Sequence, residues 1–198
     1  MSDLLNRNIL VINQKAKLIE LTDEYRIRDE EGNDIGYIRE ERQATLKKAA
    51  RLVSDLDQFF THRLSIYDAQ GTKVVQLVRP RKIMKSRVEI SDGSGRPVGT
   101  IVQKNVFGKK RFALEGASGE TLGAINAENW RAWDFAIEDI TGGEVGRITK
   151  KWAGLLKEGF TTADNYLLEI SGQVSDDLRL MMLASAAGVD LALKQDEG

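Results

Sequence analysis

Five segments of this chain obey one frame: YRIRDEEGNDIGYI (25–38), LSIYDAQGTKVVQL (64–77), VEISDGSGRPVGTI (88–101), FALEGASGETLGAI (112–125) and FAIEDITGGEVGRI (135–148). With Asp29, Asp68, Asp92, Gly116 and Asp139 as position zero, every copy has Gly at +3, an aliphatic residue at +6 and another at +9. Four of the five also have Gly at +7, and positions −4 and −2 are apolar throughout, from Tyr25 and Ile27 to Phe135 and Ile137. Apolar residues two apart put one face of a strand on a core, while intervening residues such as Arg26, Glu89 and Glu138 face water. Asp opens a short turn by accepting local backbone hydrogen bonds, and Gly three residues on tolerates positive φ. The frame therefore predicts five β-hairpins. Glycine at +7 gives up side-chain packing inside a strand, so another element is expected to approach the backbone there.

The position zeros are 39, 24, 24 and 23 residues apart, which leaves little room for helices between hairpins. Five hairpins make ten strands. ILVIN (9–13) or KLIEL (17–21), together with NYLLEIS (165–171), supply about two more. An open twisted sheet of that size tends to curl, so the expected fold is mainly β, a closed antiparallel barrel of about twelve strands. The composition, 41% hydrophobic and 30% charged over 198 residues, suits a single domain spanning 1–198. Residues 41–60 read as an amphipathic helix between hairpins, with Leu46, Ala49, Ala50, Val53, Leu56 and Phe60 opposite Lys47, Lys48 and Arg51. It is expected to plug one barrel opening, since Asp55 and Asp57 would face anionic lipid if it lay on a membrane.

The C-terminal stretch RLMMLASAAGVDLAL (179–193) breaks the β pattern. Ser175, Asp176 and Asp177 suit a helix N-terminus, so a helix is expected over 175–193. Its apolar residues spread over all sides, and such a helix is wrapped either by protein or by lipid. The charge-free run from Leu180 to Val189 covers only about 15 Å against the ~30 Å of a bilayer core. Extending it past Asp190 would put a carboxylate at mid-membrane, at a cost of about 3 kcal/mol. The expected host is the barrel interior.

Several chemistries lack their residues. With no cysteine there is no disulfide, zinc ribbon, thiol nucleophile or palmitoylation site. His62 is the single histidine and has no partner for a triad or a metal cluster. Trp130, Trp133 and Trp152 lie in strand-like patterns and read as core or rim residues. A formal net charge of −1 argues against steering of nucleic acid. The opening MSDLLNRN does not read as a secretion signal, and the expectation is a non-enzymatic protein of the cytoplasm.

Two basic runs stand out. RPRKIMKSR (79–87) includes Arg81, Lys82 and Lys85, and KNVFGKKR (104–111) places Lys109, Lys110 and Arg111 beside the apolar Phe107. Cations near an anionic leaflet are worth about 1 kcal/mol each, and an exposed Phe can insert. The six cations are thus candidate headgroup ligands and Phe107 a candidate membrane contact. The alternative is that they only solvate the outside of strands.

Several stretches resemble the LURP-one-related and phospholipid scramblase branch of the Tubby C-terminal-like superfamily. They are ILVINQKAKLIELTDEYRIRDEEGNDIGYI at the start, LDQFFTH (56–62), LVRP (77–80) with the basic segment after it, and KKW…KEGFTTADNYLLEI (150–170). The likeness spans 9–193, with bacterial members the nearest in character. It implies a barrel threaded by a C-terminal hydrophobic helix, and phospholipid binding or scramblase-like handling at the inner face of the membrane. A soluble scaffold or protein-interaction barrel is the other reading, and neither assigns an oligomeric state. The resemblance also implies a calcium loop at Thr162, Asp164, Tyr166, Leu168, Ile170 and Gln173. Of these only Asp164 keeps a carboxylate, with Asn165 beside it, whereas calcium takes six to eight oxygens. Asp164 and Asn165 are weak calcium candidates, and no cofactor is expected.

Overall fold

The computed structural model describes residues 2–13, 24–41, 62–80, 87–104, 111–129, 134–150 and 165–193. A short helix, α1 (Asp3–Asn6), precedes β1 (Ile9–Asn13). The five repeats form the hairpins β2 (Glu24–Arg28)/β3 (Asp34–Glu40), β4 (His62–Asp68)/β5 (Lys73–Arg79), β6 (Arg87–Asp92)/β7 (Pro97–Gln103), β8 (Arg111–Gly116)/β9 (Thr121–Asn129) and β10 (Asp134–Asp139)/β11 (Glu144–Thr149). Then come β12 (Asn165–Ile170) and α2 (Asp176–Leu193). Every strand pairs antiparallel with its sequence neighbour. β1 closes the ring between β12 and β2, with Val11 opposite Leu167 and Ile12 opposite Ile27. The segments expected as a helix (41–60) and as the alternative first strand (17–21) lie outside the described residues, save for Glu41.

Each hairpin turn is built alike. The N–H of Gly at +3 donates to the carbonyl of position zero, as from Gly71 to Asp68 and from Gly95 to Asp92, both at 3.0 Å. That Gly has positive φ, for example 90° at Gly32. This is a type I turn closed by a left-handed residue, and it adds a twist suited to the hairpin. Where position zero is Asp, its Oδ1 accepts the N–H groups at +2 and +4, as from Gln70 and Thr72 to Asp68. The fourth copy has Gly116 instead, and Glu120 reaches back so that its Oε2 accepts the Ser118 N–H at 3.0 Å. The Glu120 carboxylate lies where a Cβ on Gly116 would stand.

A second irregularity repeats just inside each turn. The register shifts between −2 and −1 in all five hairpins, so that Ile27 pairs with Gly36 while Arg28 pairs with Asp34. The +6 residue is the extra one of a bulge, which bends the strand and breaks the strict alternation of faces. Ile35, Val74 and Val98 therefore join the core although their +7 neighbours are also buried. Glycine at +7 follows from this crowding. A Cβ on Gly99 or Gly123 would strike the carbonyl oxygen of Glu115 or Glu138 on the next strand, with no helix involved. The expected approach of a packed element holds at Gly36, which meets Leu4, and at Gly146, which meets Met182.

Helix α2 fills the interior. From Leu180 to Ala186 every residue is buried, and Met181, Met182 and Ala184 have no exposure at all. The surrounding wall contributes Ile27, Ile66, Leu114, Phe135, Ile137, Ile148 and Leu168, also fully buried. Ser175 caps the helix, its Oγ accepting the Leu178 N–H at 3.3 Å, and Asp176 and Asp177 oppose the positive end of the helix dipole. The one polar residue within the run, Ser185, donates to the Met181 carbonyl at 2.7 Å, so its hydroxyl is satisfied inside the core.

Candidate functional site

An antiparallel up-and-down barrel sorts its connections onto two ends. The five turns, the capped N-terminus of α2 and the α1 segment share one end. There Arg96 of the third turn bridges to Asp177 at 2.8 Å, Arg7 faces Asp29 at 3.7 Å, and Ser2 donates to Asp68. The six other connections leave from the opposite end.

Both basic runs belong to that second end. Strands β5 to β8 are consecutive neighbours in the ring, so 80–86 and 104–110 depart from one rim, two strand spacings or roughly 10 Å apart. Arg81, Lys82, Lys85, Phe107, Lys109 and Lys110 lie outside the described residues. Arg111 opens β8 and is exposed. Around it, Arg87 opens β6 in the open beside Glu89, Lys104 pairs with Glu115 at 2.6 Å, and Arg79 ends β5 buried. The rim thus keeps cations on its strand ends, some compensated within the wall.

The segment likened to a calcium loop is spent largely on the wall. Tyr166, Leu168 and Ile170 of β12 are buried core residues, 3%, 0% and 6% exposed, and the side chains of Leu168 and Ile170 offer a cation no oxygen. Asp164 lies outside the described residues, and Asn165 opens β12 opposite Asn13. Among the described residues no group of three or more His, Cys, Asp or Glu could hold a metal ion. His62 opens β4 opposite Arg79 in the register. Trp130, Trp133 and Trp152 lie outside the described residues, the first two between β9 and β10.

The turn end has its own electrostatics. Asp92 accepts from the Ser94 hydroxyl at 2.7 Å and from Arg96, and these bonds pull its carboxyl down to about 2. Asp139 is lowered by the Thr141 hydroxyl and by backbone N–H groups. At Asp29 burial pushes the carboxyl up, but bonds from Asn33 and Glu31 outweigh it. These carboxylates organise the backbone of their turns.

One cluster escaped the sequence reading. On the outer wall of β3–β5, Glu41 accepts from Ser65 (2.6 Å), Lys73 (2.8 Å), Gln76 (3.2 Å) and Tyr67 (3.4 Å). Lys73 and Ser65 hold its carboxyl below the usual range. Beside it Tyr37 and Tyr67 stack at 5.0 Å under Arg39. The repeat aligns Tyr37 and Tyr67 only in hindsight, since they occupy positions +8 and −1 of different copies. Every hydrogen-bonding group of Glu41 named here is already engaged, so the cluster clamps three strands.

A closed barrel of repeated antiparallel hairpins around a C-terminal hydrophobic helix defines the class: a helix-filled β-barrel of the Tubby C-terminal-like kind. The family model described as Scramblase matches residues 1–193, and the chain belongs to that family. No curated protein and no solved structure matches the chain. Among the described residues no helix is long and apolar enough to cross a membrane.

Proposed function

We propose that this protein binds anionic phospholipid at a membrane surface from outside the bilayer core, on the cytoplasmic side, and handles lipid in a scramblase-like way without covalent chemistry. Membership of the Scramblase family is the observation that carries the reading. Two properties of the chain support it. The runs 79–87 and 104–111 begin and end on adjacent strands of one rim, so Arg81, Lys82, Lys85, Lys109, Lys110 and Arg111 can act on one lipid surface together, with Phe107 as the apolar contact. The barrel interior is filled by α2, so the lipid contact is assigned to the outside of the barrel and not to a path through it.

Exposed charges are screened over about 8 Å at physiological ionic strength. Flotation with phosphatidylserine-containing vesicles should therefore weaken steeply as salt is raised. The quadruple reversal Lys82→Glu, Lys85→Glu, Lys109→Glu and Lys110→Glu should abolish it. Equal flotation of the wild type and this variant would remove these lysines from the site, and absence of flotation at low salt would favour a protein-interaction barrel.

A further inference from the structure

The Glu41 cluster is asymmetric in a way that clamping alone does not require. All four donors stand inside strands: Ser65 and Tyr67 on β4, Lys73 and Gln76 on β5, with Ser65 opposite Gln76 and Tyr67 opposite Lys73 in the register. The acceptor comes from outside them, on the first residue after β3, where the Glu41 N–H donates to the Arg63 carbonyl at 2.8 Å. The donors are therefore fixed by the β4/β5 ladder, whereas the carboxylate reaches them on a side chain from the strand end next door.

The donor set is that of an anion site. A hydroxyl, a phenol, an ammonium and an amide converge on two oxygens, Oε1 taking Ser65, Lys73 and Tyr67 and Oε2 taking Gln76. Bonds from Lys73 and Ser65 hold the Glu41 carboxyl below its ordinary value, so the pocket of donors favours negative charge. Ser65 has no exposure although its neighbours Leu64 and Ile66 take the inward face, while the Glu41 and Lys73 side chains are each 31% exposed. The site thus has a buried floor and an opening to solvent. The stacked rings of Tyr37 and Tyr67 stiffen one side, with Lys73 and Arg39 over the Tyr67 ring at 5.9 and 5.8 Å.

We propose that Ser65, Tyr67, Lys73 and Gln76 form a binding site for a terminal phosphate group, and that Glu41 is its tethered occupant. A phosphate offers three terminal oxygens where the carboxylate offers two, and lysine binds phosphate as a point charge. A tethered ligand acts at an effective concentration in the millimolar range, so Glu41 excludes phosphate present well below that level. Apparent affinity falls with the fraction of molecules in which Glu41 is displaced, which makes the site conditional. None of the four donors belongs to the runs 79–87 and 104–111, so the site does not rest on the lipid-binding reading above. Free phosphate and the phosphate headgroup of a lipid share this chemistry.

The test uses the full-length chain with inorganic phosphate as the probe, in titration calorimetry and in thermal melts against chloride at matched ionic strength. Glu41→Ala should bind phosphate at least about tenfold more tightly than the wild type, and phosphate should raise its melting temperature where chloride does not. Adding Lys73→Met to Glu41→Ala should remove that gain, a loss that a clamp already broken would not show. If Glu41→Ala lacks a cooperative melt, Glu41→Gln keeps an acceptor for Ser65, removes the charge facing Lys73, and carries the same expectations. Vesicles of phosphatidylcholine with phosphatidic acid then assign the source. Flotation of the Glu41 variant above the wild type, lost on adding Lys73→Met, identifies a lipid phosphate, and phosphate binding with equal flotation identifies a free one. Indifference of both Glu41 variants to millimolar phosphate, or a gain that survives Lys73→Met, would overturn the site and leave the cluster a clamp alone. Either result leaves the lipid reading standing on the salt-dependent flotation of the wild type.

Discussion

The wall of this barrel and the helix inside it are stabilised in opposite ways. The wall is one hairpin written five times, and each copy carries its own instructions: a carboxylate over the turn, a left-handed glycine, a bulge and two inward apolar pairs. Helix α2 is written once and makes no sense alone, because its apolar residues face every direction. Redundancy should make the wall tolerant of any one turn, whereas a shared filler makes every strand depend on the helix. The contrast teaches that local chemistry shapes the parts of this fold while a single element holds them in one piece.

The largest expected effect is loss of the filler. Deleting 175–198 would leave the inward faces of the wall around a void, and the truncated chain should aggregate or lack a cooperative melt. A soluble, cooperatively melting truncation would falsify the dependence of wall on helix. Leu183→Ala, at a position 1% exposed, should cost roughly 2–5 kcal/mol, the range for cavities left in rigid cores, as read from denaturant midpoints.

Next in size come the crowded glycines. Gly99→Ala sets a methyl against the Glu115 carbonyl, which is backbone and cannot swing aside. The expected loss is about 1–3 kcal/mol. A neutral outcome at Gly99 would mean that the strands separate more easily than the bulge geometry implies.

Single turns should matter less. Asp92→Ala removes the acceptor for Ser94, Arg96 and the backbone above them and should cost about 1 kcal/mol. The fourth turn sharpens the comparison. Glu120→Ala should destabilise modestly, and adding Gly116→Asp should recover much of the loss, since the new carboxylate takes the place Glu120 vacates. A double-mutant cycle measures that coupling, and independent, additive effects would show that the turn does not need a carboxylate there.

The smallest effect is a dependence on pH. Asp92, Asp139 and Asp29 are all lowered in the folded protein. A depressed carboxyl contributes stability that is present above its unfolded value and lost as pH falls through the folded one. With an ordinary value of 3.8 and Asp92 at about 2, stability should decline from about pH 4 toward pH 2. Asp92→Asn should flatten that slope, and an unchanged slope would move the acid sensitivity to other groups.

Much of this was legible before any coordinates. Asp at zero, Gly at +3 and apolar residues at −4 and −2 act within a few residues of themselves, so the hairpins, their faces and their turns follow from local stereochemistry. The length mismatch with a bilayer and the all-round apolar pattern likewise put α2 inside protein. The candidate headgroup ligands were legible only as a composition, because a run of lysines carries no record of which neighbours it will meet.

Other features required the tertiary structure. The aliphatic residue at +6 breaks the alternation that a flat strand demands, and only the register shift explains how it reaches the core beside the +7 glycine. Arg96 reaching Asp177 across 81 residues and Glu41 clamping three strands depend on groups far apart in the chain that the assembled sheet brings together. Sequence determines what each hairpin is, because its forces act over a few residues. Tertiary structure decides which hairpin ends share a rim, because that depends on closing the ring around one helix.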